Sequence, residues 1–267
     1  MTAPQTQTDP HAATRTPAQW RAQFRAGEVR QTSALCNGYL QANLAVIPEA
    51  WADDFEAFLM VNPAACPLLA RGRAGEWGLP ALGDFDLRHD LPLYRLFRNG
   101  RPTAHSANVA SYWTADLTAF AIGCSLSFEA DLLAAGVTLR CHGAGRSCSA
   151  FDTTLSNRPA GGFGGNLVVS MRAIPEDQVA LAIAVTKAHP ETHGAPVHTG
   201  DPAAIGVNLS HPIDGLGLTD IQPGEVPVFW ACGVTMERAI TSARIPFAIT
   251  HAPGHMLITD RRLIGCP

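Results

Sequence analysis

Lysine is almost missing from this chain: Lys187 stands alone among 19 basic residues, the others being arginine. Pyridoxal chemistry needs a Schiff-base lysine in its site. Lys187 closes the apolar run "DQVALAIAVTKAHP", where a cation complements a helix C-terminus, so that chemistry is close to excluded. Long hydrophobic runs are missing too. The longest, Val179 to Val185, falls far short of the roughly 20 residues that cross a bilayer. The opening "MTAPQTQTDPHAATRTP" lacks the apolar core of a signal peptide. These absences predict a cytoplasmic protein with no membrane partner and a disordered tail over residues 1–16. A net charge of −4, a pI near 6.2 and no cluster of basic residues argue against nucleic acid as a partner.

Seven cysteines, an odd number with no CxxC pair, suggest neither a disulfide framework nor a structural zinc site. Most are expected to be small buried apolar groups. Phosphate-loop, dinucleotide and HExxH signatures are absent. "GCSLS" at 123–127 nearly copies a nucleophile elbow, but Ser127 stands where the second glycine belongs. No cofactor and no metal are expected.

At 267 residues and 46% hydrophobic, the chain has material for one large domain or two modest ones. Thr16 and Pro17 begin a short helix that places Trp20 and Phe24 four apart and stops at Gly27. "QANLAVIP" reads as a strand, and "PEAWADDFEAFLMVNP" as a helix with Trp51, Phe55, Phe58 and Leu59 on one face. "LPLYRLFRNG" alternates and ends in Asn99-Gly100, a hairpin signal. Residues 114–135 carry the strongest helical pattern, and 141–166 form a long segment rich in Gly, Ser and Thr that reads as irregular. "LVVSMRAI" predicts a strand, 175–188 a helix, "VPVFWACG" a strand and 235–242 a short helix. Helices and strands interleave, so the expected class is α/β, in a mixed α+β form.

Histidine placement carries the chemistry. Six of the ten lie between positions 189 and 255, in segments punctuated by Gly and Pro: His189, His193, His198, His211, His251 and His255. "HGAPVHTGDP" and "ITHAPGHMLITD" each set two histidines on turns that proline and glycine make rigid, as catalytic positioning requires. His198 and His255 are the leading candidates for proton transfer, with His251 beside them; Asp201 and Asp260 close the two segments, where each could orient an imidazole or simply begin a turn. Glu129, beside an apolar helix face, suits a general acid if buried. Arg88, Arg95 and Arg172 offer forks for a substrate carboxylate, or serve structural ion pairs.

Several blocks, "GYLQANL", "NPAACPLL", "DFDLRHDLPLYRLFRNG", "GCSLSFEADLL", "RPAGGFGGNLVVSMR", "HGAPVHTGDPAAIG", "GEVPVFWACGVT" and "ITHAPGHMLITD", together resemble the D-glutamate cyclase family, whose bacterial members are often labelled hydro-lyases. The resemblance runs from about residue 38 to 260. It implies a two-domain α/β fold: residues 17–127 and 203–267 forming a discontinuous main domain, and 128–202 a smaller inserted one. It also implies loss of water from D-glutamate to form the lactam 5-oxo-D-proline. Where the family usually reads Tyr-x-Thr-Asn-Ile-x-Cys-x-Pro-Ala-Gly, this chain reads "FDTTLSNRPAG", and Asn166 stands where proline is common. Phe151, Thr154 and Asn157 thus replace Tyr, Asn and Cys. Changes gathered in one loop suggest a rebuilt pocket and a substrate diverged from D-glutamate.

Lactam formation asks for a carboxylate anchor, a base, an oxyanion stabiliser and an acid for the departing hydroxide. The expected anchor is Arg88 or Arg172, the base His198 or His255, and the acid Glu129. Asn43 and the amides of the turn around Gly161 would stabilise the oxyanion, with Phe151 and Asn157 lining the pocket. The expected partner is a small carboxylic acid; the oligomeric state stays open, a homo-oligomer included. Two rival readings remain: a metal-dependent hydrolase of a small amide or lactam using His193, His198, His251 and His255, and a non-catalytic protein that binds a small carboxylate.

Overall fold

The computed structural model describes residues 14–143, 146–215 and 217–263; the predicted tail lies largely outside them, as does Cys266. The fold is mixed α/β, built on two antiparallel sheets. The first has seven strands: β1 (Tyr39–Pro48), β2 (Leu68–Arg71), β3 (Tyr94–Arg98), β4 (Arg101–Ser106), β5 (Leu117–Gly123), β10 (Phe247–His251) and β11 (Leu257–Arg262). The second has four: β6 (Ser149–Ser156), β7 (Asn166–Pro175), β8 (His198–Thr199) and β9 (Glu225–Ala231). Helices α1 (Pro17–Arg25), α2 (Ala52–Val61), α3 (Glu129–Ala134), α4 (Arg140–Gly143), α5 (Val179–Lys187) and α6 (Thr235–Ala243) surround them. None of the helices is long and apolar enough to cross a membrane among the described residues.

Local chemistry accounts for several elements. Thr16 and Gln19 form a capping box at the start of α1, whose buried Trp20 and Phe24 pack against Ile258 of β11. Asn99 (φ 48°) and Gly100 (φ 72°) close the β3–β4 hairpin; both need left-handed backbone, which Asn and Gly tolerate best. Lys187 ends α5, as its position in the sequence predicts.

The helix expected over 114–135 does not form as such. Leu117–Gly123 is a strand with every residue buried, followed by a 3-10 turn at Ser125–Phe128 and only then by α3. A strand covered on both faces is apolar throughout, so it shows no alternation and imitates a buried helix. The segment 141–166, expected to be irregular, contains β6, which pairs with β7 from Ser149↔Met171 to Asp152↔Val168. Small polar residues hide a strand whose stability comes from its partner. The second sheet takes its strands from 149 to 231, so β9 lies beyond the 128–202 segment expected for an inserted unit.

One large apolar cluster is shared by both sheets and by α2 and α6. Phe55 and Phe58 of α2, Phe120 and Ile122 of β5, Val169 and Met171 of β7, Phe229 of β9 and Met236 and Ile240 of α6 all belong to it. Phe55 meets Phe120 edge-on at 5.0 Å between ring centroids. On its other face the first sheet is covered by the 79–91 segment, where Leu79, Leu82, Phe85, Leu87 and Leu91 pack on Leu44, Val46 and Ile249. A third cluster joins α3 and α5 to Val228 and Trp230.

β1 organises the functional end of the molecule. On one side it pairs with β5 along its length from Ala42 to Pro48. On the other it pairs with two successive strands, β10 at Ala45↔Thr250 and Val46↔Ile249, then β11 at Ala42↔Leu257 and Gln41↔Ile258. The two strands of "ITHAPGHMLITD" are therefore neighbours of β1 in sequence along the same edge, and "APGH" is an excursion between them. Alternation on β1 sends Ala45 and Ile47 toward the shared cluster and Ala42, Leu44 and Val46 toward the 79–91 side. Asn43 shares the face of Ala45 and Ile47, so it brings a polar group to the side that looks toward the second sheet.

Candidate active site

The break between β10 and β11 opens a narrow cleft where the two sheets meet. Its walls carry Asn43 of β1, Cys124 and Ser125 after β5, Ser147 and Cys148 before β6, Ser170 of β7, Asp214 before β9, Cys232 and Val234 after it, and His251 with Pro253 and Gly254. The excursion is held rigidly. Gly254 (φ 74°) turns the chain, its carbonyl accepts from the Thr32 amide at 2.8 Å, and the Thr32 hydroxyl accepts from the Met256 amide at 3.0 Å.

His251 is buried, 1% exposed, and its Nδ1 accepts the Leu44 amide proton at 3.2 Å. The interruption of the strand explains this bond, since no backbone carbonyl of β10 or β11 is in register to take that N–H. Burial, with Arg95 and His255 adding a little, pushes the His251 pKa down to about 3, so the ring is neutral. Its Nε2 is buried and has no hydrogen-bond partner among the described residues.

Asn43 donates its Nδ2 to the carbonyls of Gly123 at 2.5 Å and Ile122 at 3.3 Å, leaving Oδ1 as its remaining acceptor. It fits because residue 233 is glycine: a Cβ there would lie 2.0 Å from Asn43 Nδ2.

Behind the cleft wall sits a buried ion pair. Arg172 Nε and Nη2 both donate to Glu129 Oε1, at 2.9 and 2.6 Å, and the guanidinium lies over the rings of Phe128 and Trp230. The same guanidinium donates to Ser170 Oγ and Ser125 Oγ, each at 3.2 Å. Arg172 and Glu129, expected as anchor and acid, thus hold each other, and the positive group reaches the cleft through two serine hydroxyls.

The other expected site residues fall elsewhere. His198 sits at the β8 edge, stacked on Phe229, with Nε2 on the Asp201 carbonyl at 2.8 Å. Asp201 caps the 3-10 turn that follows by accepting from the Ala203 amide. His255 donates Nδ1–H to the Pro253 carbonyl at 2.7 Å, and it is not among the groups lining the cleft. Arg88 is paired with Asp86 and stacked on Trp77. Arg95 pairs with the buried Glu237. Phe151 is buried in the shared core, and Asn157 bonds the Gly165 carbonyl within the β6–β7 connection. Gly161 (φ 55°) turns against α2, where a Cβ would meet Asp54 at 2.4 Å. Asp260 accepts two bonds from Arg21 and so docks α1 on β11 instead of orienting a histidine.

Of the expected site residues, the cleft brings together Asn43 and His251 directly, and Arg172 and Glu129 through Ser125 and Ser170. Sequence reasoning missed Ser125, Ser170 and Asp214. The near-elbow "GCSLS" marked the first, but as a failed hydrolase signature; Ser170 lies in an ordinary strand and Asp214 in an ordinary turn sequence. Burial also pushes the lining thiols up, Cys148 to about 12 and Cys232 to about 11, so both are protonated and poorly nucleophilic at neutral pH. Among the described residues no three His, Cys, Asp or Glu side chains are grouped so as to hold a metal ion.

The model of the D-glutamate cyclase family matches residues 118–260. A Corynebacterium jeikeium (strain K411) protein bearing the name "Putative hydro-lyase" is 47% identical over 247 residues, covering 92% of this chain and 91% of the relative. Proteins of the same name from Ruegeria pomeroyi and Streptomyces avermitilis are 46% and 45% identical, covering 91% and 97% of this chain and 89% and 94% of their own lengths.

Proposed function

This chain belongs to the D-glutamate cyclase family, and we propose that it is a hydro-lyase that removes water from a small amino-carboxylic acid, D-glutamate or a relative of it, by closing a lactam. The observation that carries this reading is the mixed polarity of the cleft. Asp214 and the free acceptor of Asn43 suit an ammonium group, while Ser125, Ser170 and the Nε2 of His251 suit a carboxyl group. A zwitterionic substrate needs both kinds of partner in one place.

The reaction balances without an external oxidant or reductant. The amine nitrogen attacks the side-chain carboxyl carbon, a C–N bond forms, and a C–O bond breaks. Two protons pass from the ammonium nitrogen to the departing oxygen, which leaves as water. Asp214, the carboxylate among the described residues lining the cleft, is assigned as the group that takes and returns these protons. Asn43 Oδ1 orients the ammonium group. Arg172 and Glu129 act from behind, holding Ser125 and Ser170 in place.

Purified protein incubated with D-glutamate, L-glutamate and a panel of 2-hydroxy dicarboxylic acids, analysed by mass spectrometry, tests the reading. A product one water lighter from an amino acid, lost on the order of 100-fold or more in Asp214→Asn, is the expected result. Stabilisation by these compounds without turnover would favour a binding protein instead.

A further inference from the structure

The two nitrogens of His251 have different fates. Nδ1 lies 3.2 Å from the Leu44 amide nitrogen and 3.5 Å from the Leu44 carbonyl oxygen; the shorter contact makes Nδ1 the acceptor, with a lone pair and no proton. A neutral imidazole has one N–H, which is then on Nε2; that atom is buried with no partner among the described residues, and the residue lines the cleft. Protonating the ring would require Nδ1 to give up the Leu44 amide, and would place an unpaired charge in a buried site. The group is therefore built to donate and poorly built to accept a proton.

The serine pair yields the same sign by counting. Ser125 Oγ and Ser170 Oγ each accept from Arg172 and lie 3.3 Å apart. Between them they own two O–H protons, and their mutual contact uses one. The other has no acceptor among the described residues, and both serines line the cleft. The guanidinium behind them polarises both oxygens in the direction that strengthens donation.

We propose that His251 is a catalytic hydrogen-bond donor, locked as the neutral Nε2–H tautomer, and that with the unused hydroxyl of the Ser125–Ser170 pair it holds the oxyanion that develops on the substrate carboxyl group. This rests on the lactam-forming reading. As the C–N bond forms, the carbonyl π pair moves onto oxygen; when the C–O bond breaks, the pair returns. The donors take no proton and lose none. They are fixed before substrate arrives, which is what makes such donors effective. In this assignment His251 is not the base, and the rigid "APG" excursion exists to break the strand and expose one backbone N–H that sets the tautomer.

Three measurements test it. ¹⁵N NMR of the wild-type imidazole at pH 7 should show a bare Nδ1 and a protonated Nε2 for His251; a protonated Nδ1 overturns the proposal. Among variants, His251→Asn keeps an acceptor for Leu44 but loses the donor in the cleft, whereas His251→Gln can place an amide N–H near the Nε2 position. The expected result is a kcat loss of about 100- to 1000-fold for the Asn variant and recovery to within about tenfold of wild type for the Gln variant. Equal, large losses in both would mean that the ring transfers a proton; no loss in either would mean that it is a bystander. Finally, saturating glutarate or 5-oxo-D-proline should shift the Nε2–H resonance. If D-glutamate is not turned over but glutarate moves this resonance, the lactam reading fails and the donor site stands. Saturable binding with no shift overturns the donor site itself.

Discussion

Mild acid should unfold this protein through two buried histidines. His193 and His251 are 3% and 1% exposed, and burial pushes their pKa values down from the ordinary 6.5 to about 4 and about 3. In the unfolded chain both titrate near 6.5, so between that pH and the folded values the unfolded state binds more protons. Stability therefore falls as pH drops below about 6.5, continuing to about 4 for His193 and about 3 for His251. Each group contributes about 1.4 kcal/mol per pH unit. From pH 6.5 to 5 that is about 2 kcal/mol each and about 4 kcal/mol together, a large part of the roughly 5–15 kcal/mol that holds a domain folded. Glu237, raised by burial, pulls the other way as the pH falls, while Asp86, held low in the folded state chiefly by the Arg88 guanidinium despite its burial, adds to the loss only at lower pH. Urea unfolding followed by tryptophan fluorescence at pH 7.5, 6 and 5 measures the slope. His251→Asn retains an acceptor for Leu44, and His193→Asn retains a donor for the Ala64 carbonyl at a position whose φ of 84° asparagine tolerates. Each single variant should remove about half the slope between pH 6.5 and 5, and the double variant most of it. A double variant with the full wild-type slope would refute the assignment.

Removing Arg172 alone, as Arg172→Met, leaves Glu129 buried without its partner and should cost about 3–5 kcal/mol in urea unfolding. The double variant Arg172→Met with Glu129→Leu should recover most of that stability while turnover stays low, because Ser125 and Ser170 lose the group that orients them. Gly233→Ala places a methyl 2.0 Å from Asn43 Nδ2, against a side chain held by two carbonyls. The expected result is a displaced Asn43 and a turnover loss of roughly 100-fold or more, as for other small misplacements of a positioning group; unchanged kinetics would remove Asn43 from the site.

Elements whose cause is local were legible in the sequence. Thr16, Pro17 and Gln19 cap α1 with atoms within three residues of one another, and Asn99-Gly100 sets the hairpin by its own backbone preferences. The family could be read from ordered blocks of residues, and "ITHAPGHMLITD" could be read as strand, turn and strand because proline and glycine forbid a helix there. β5 could not be read correctly: its burial on both faces comes from α2, the 79–91 segment and the second sheet, and without them its apolar run fits either helix or strand.

The site divides along the same line. Residue types alone marked His251, Asn43, Glu129 and Arg172 as chemically capable, since imidazole, amide, carboxylate and guanidinium announce themselves in any context. Their roles were decided by tertiary structure. Pairing β10 and β11 with one edge of β1 left a single N–H at Leu44 for His251, and the meeting of β5 with β7 set Arg172 against Glu129 behind two serines. A proton's place on an imidazole, or a guanidinium's freedom to bind a ligand, depends on which atoms stand within about 3 Å, and residues 207 and 43 positions apart in the chain become such neighbours only through the fold.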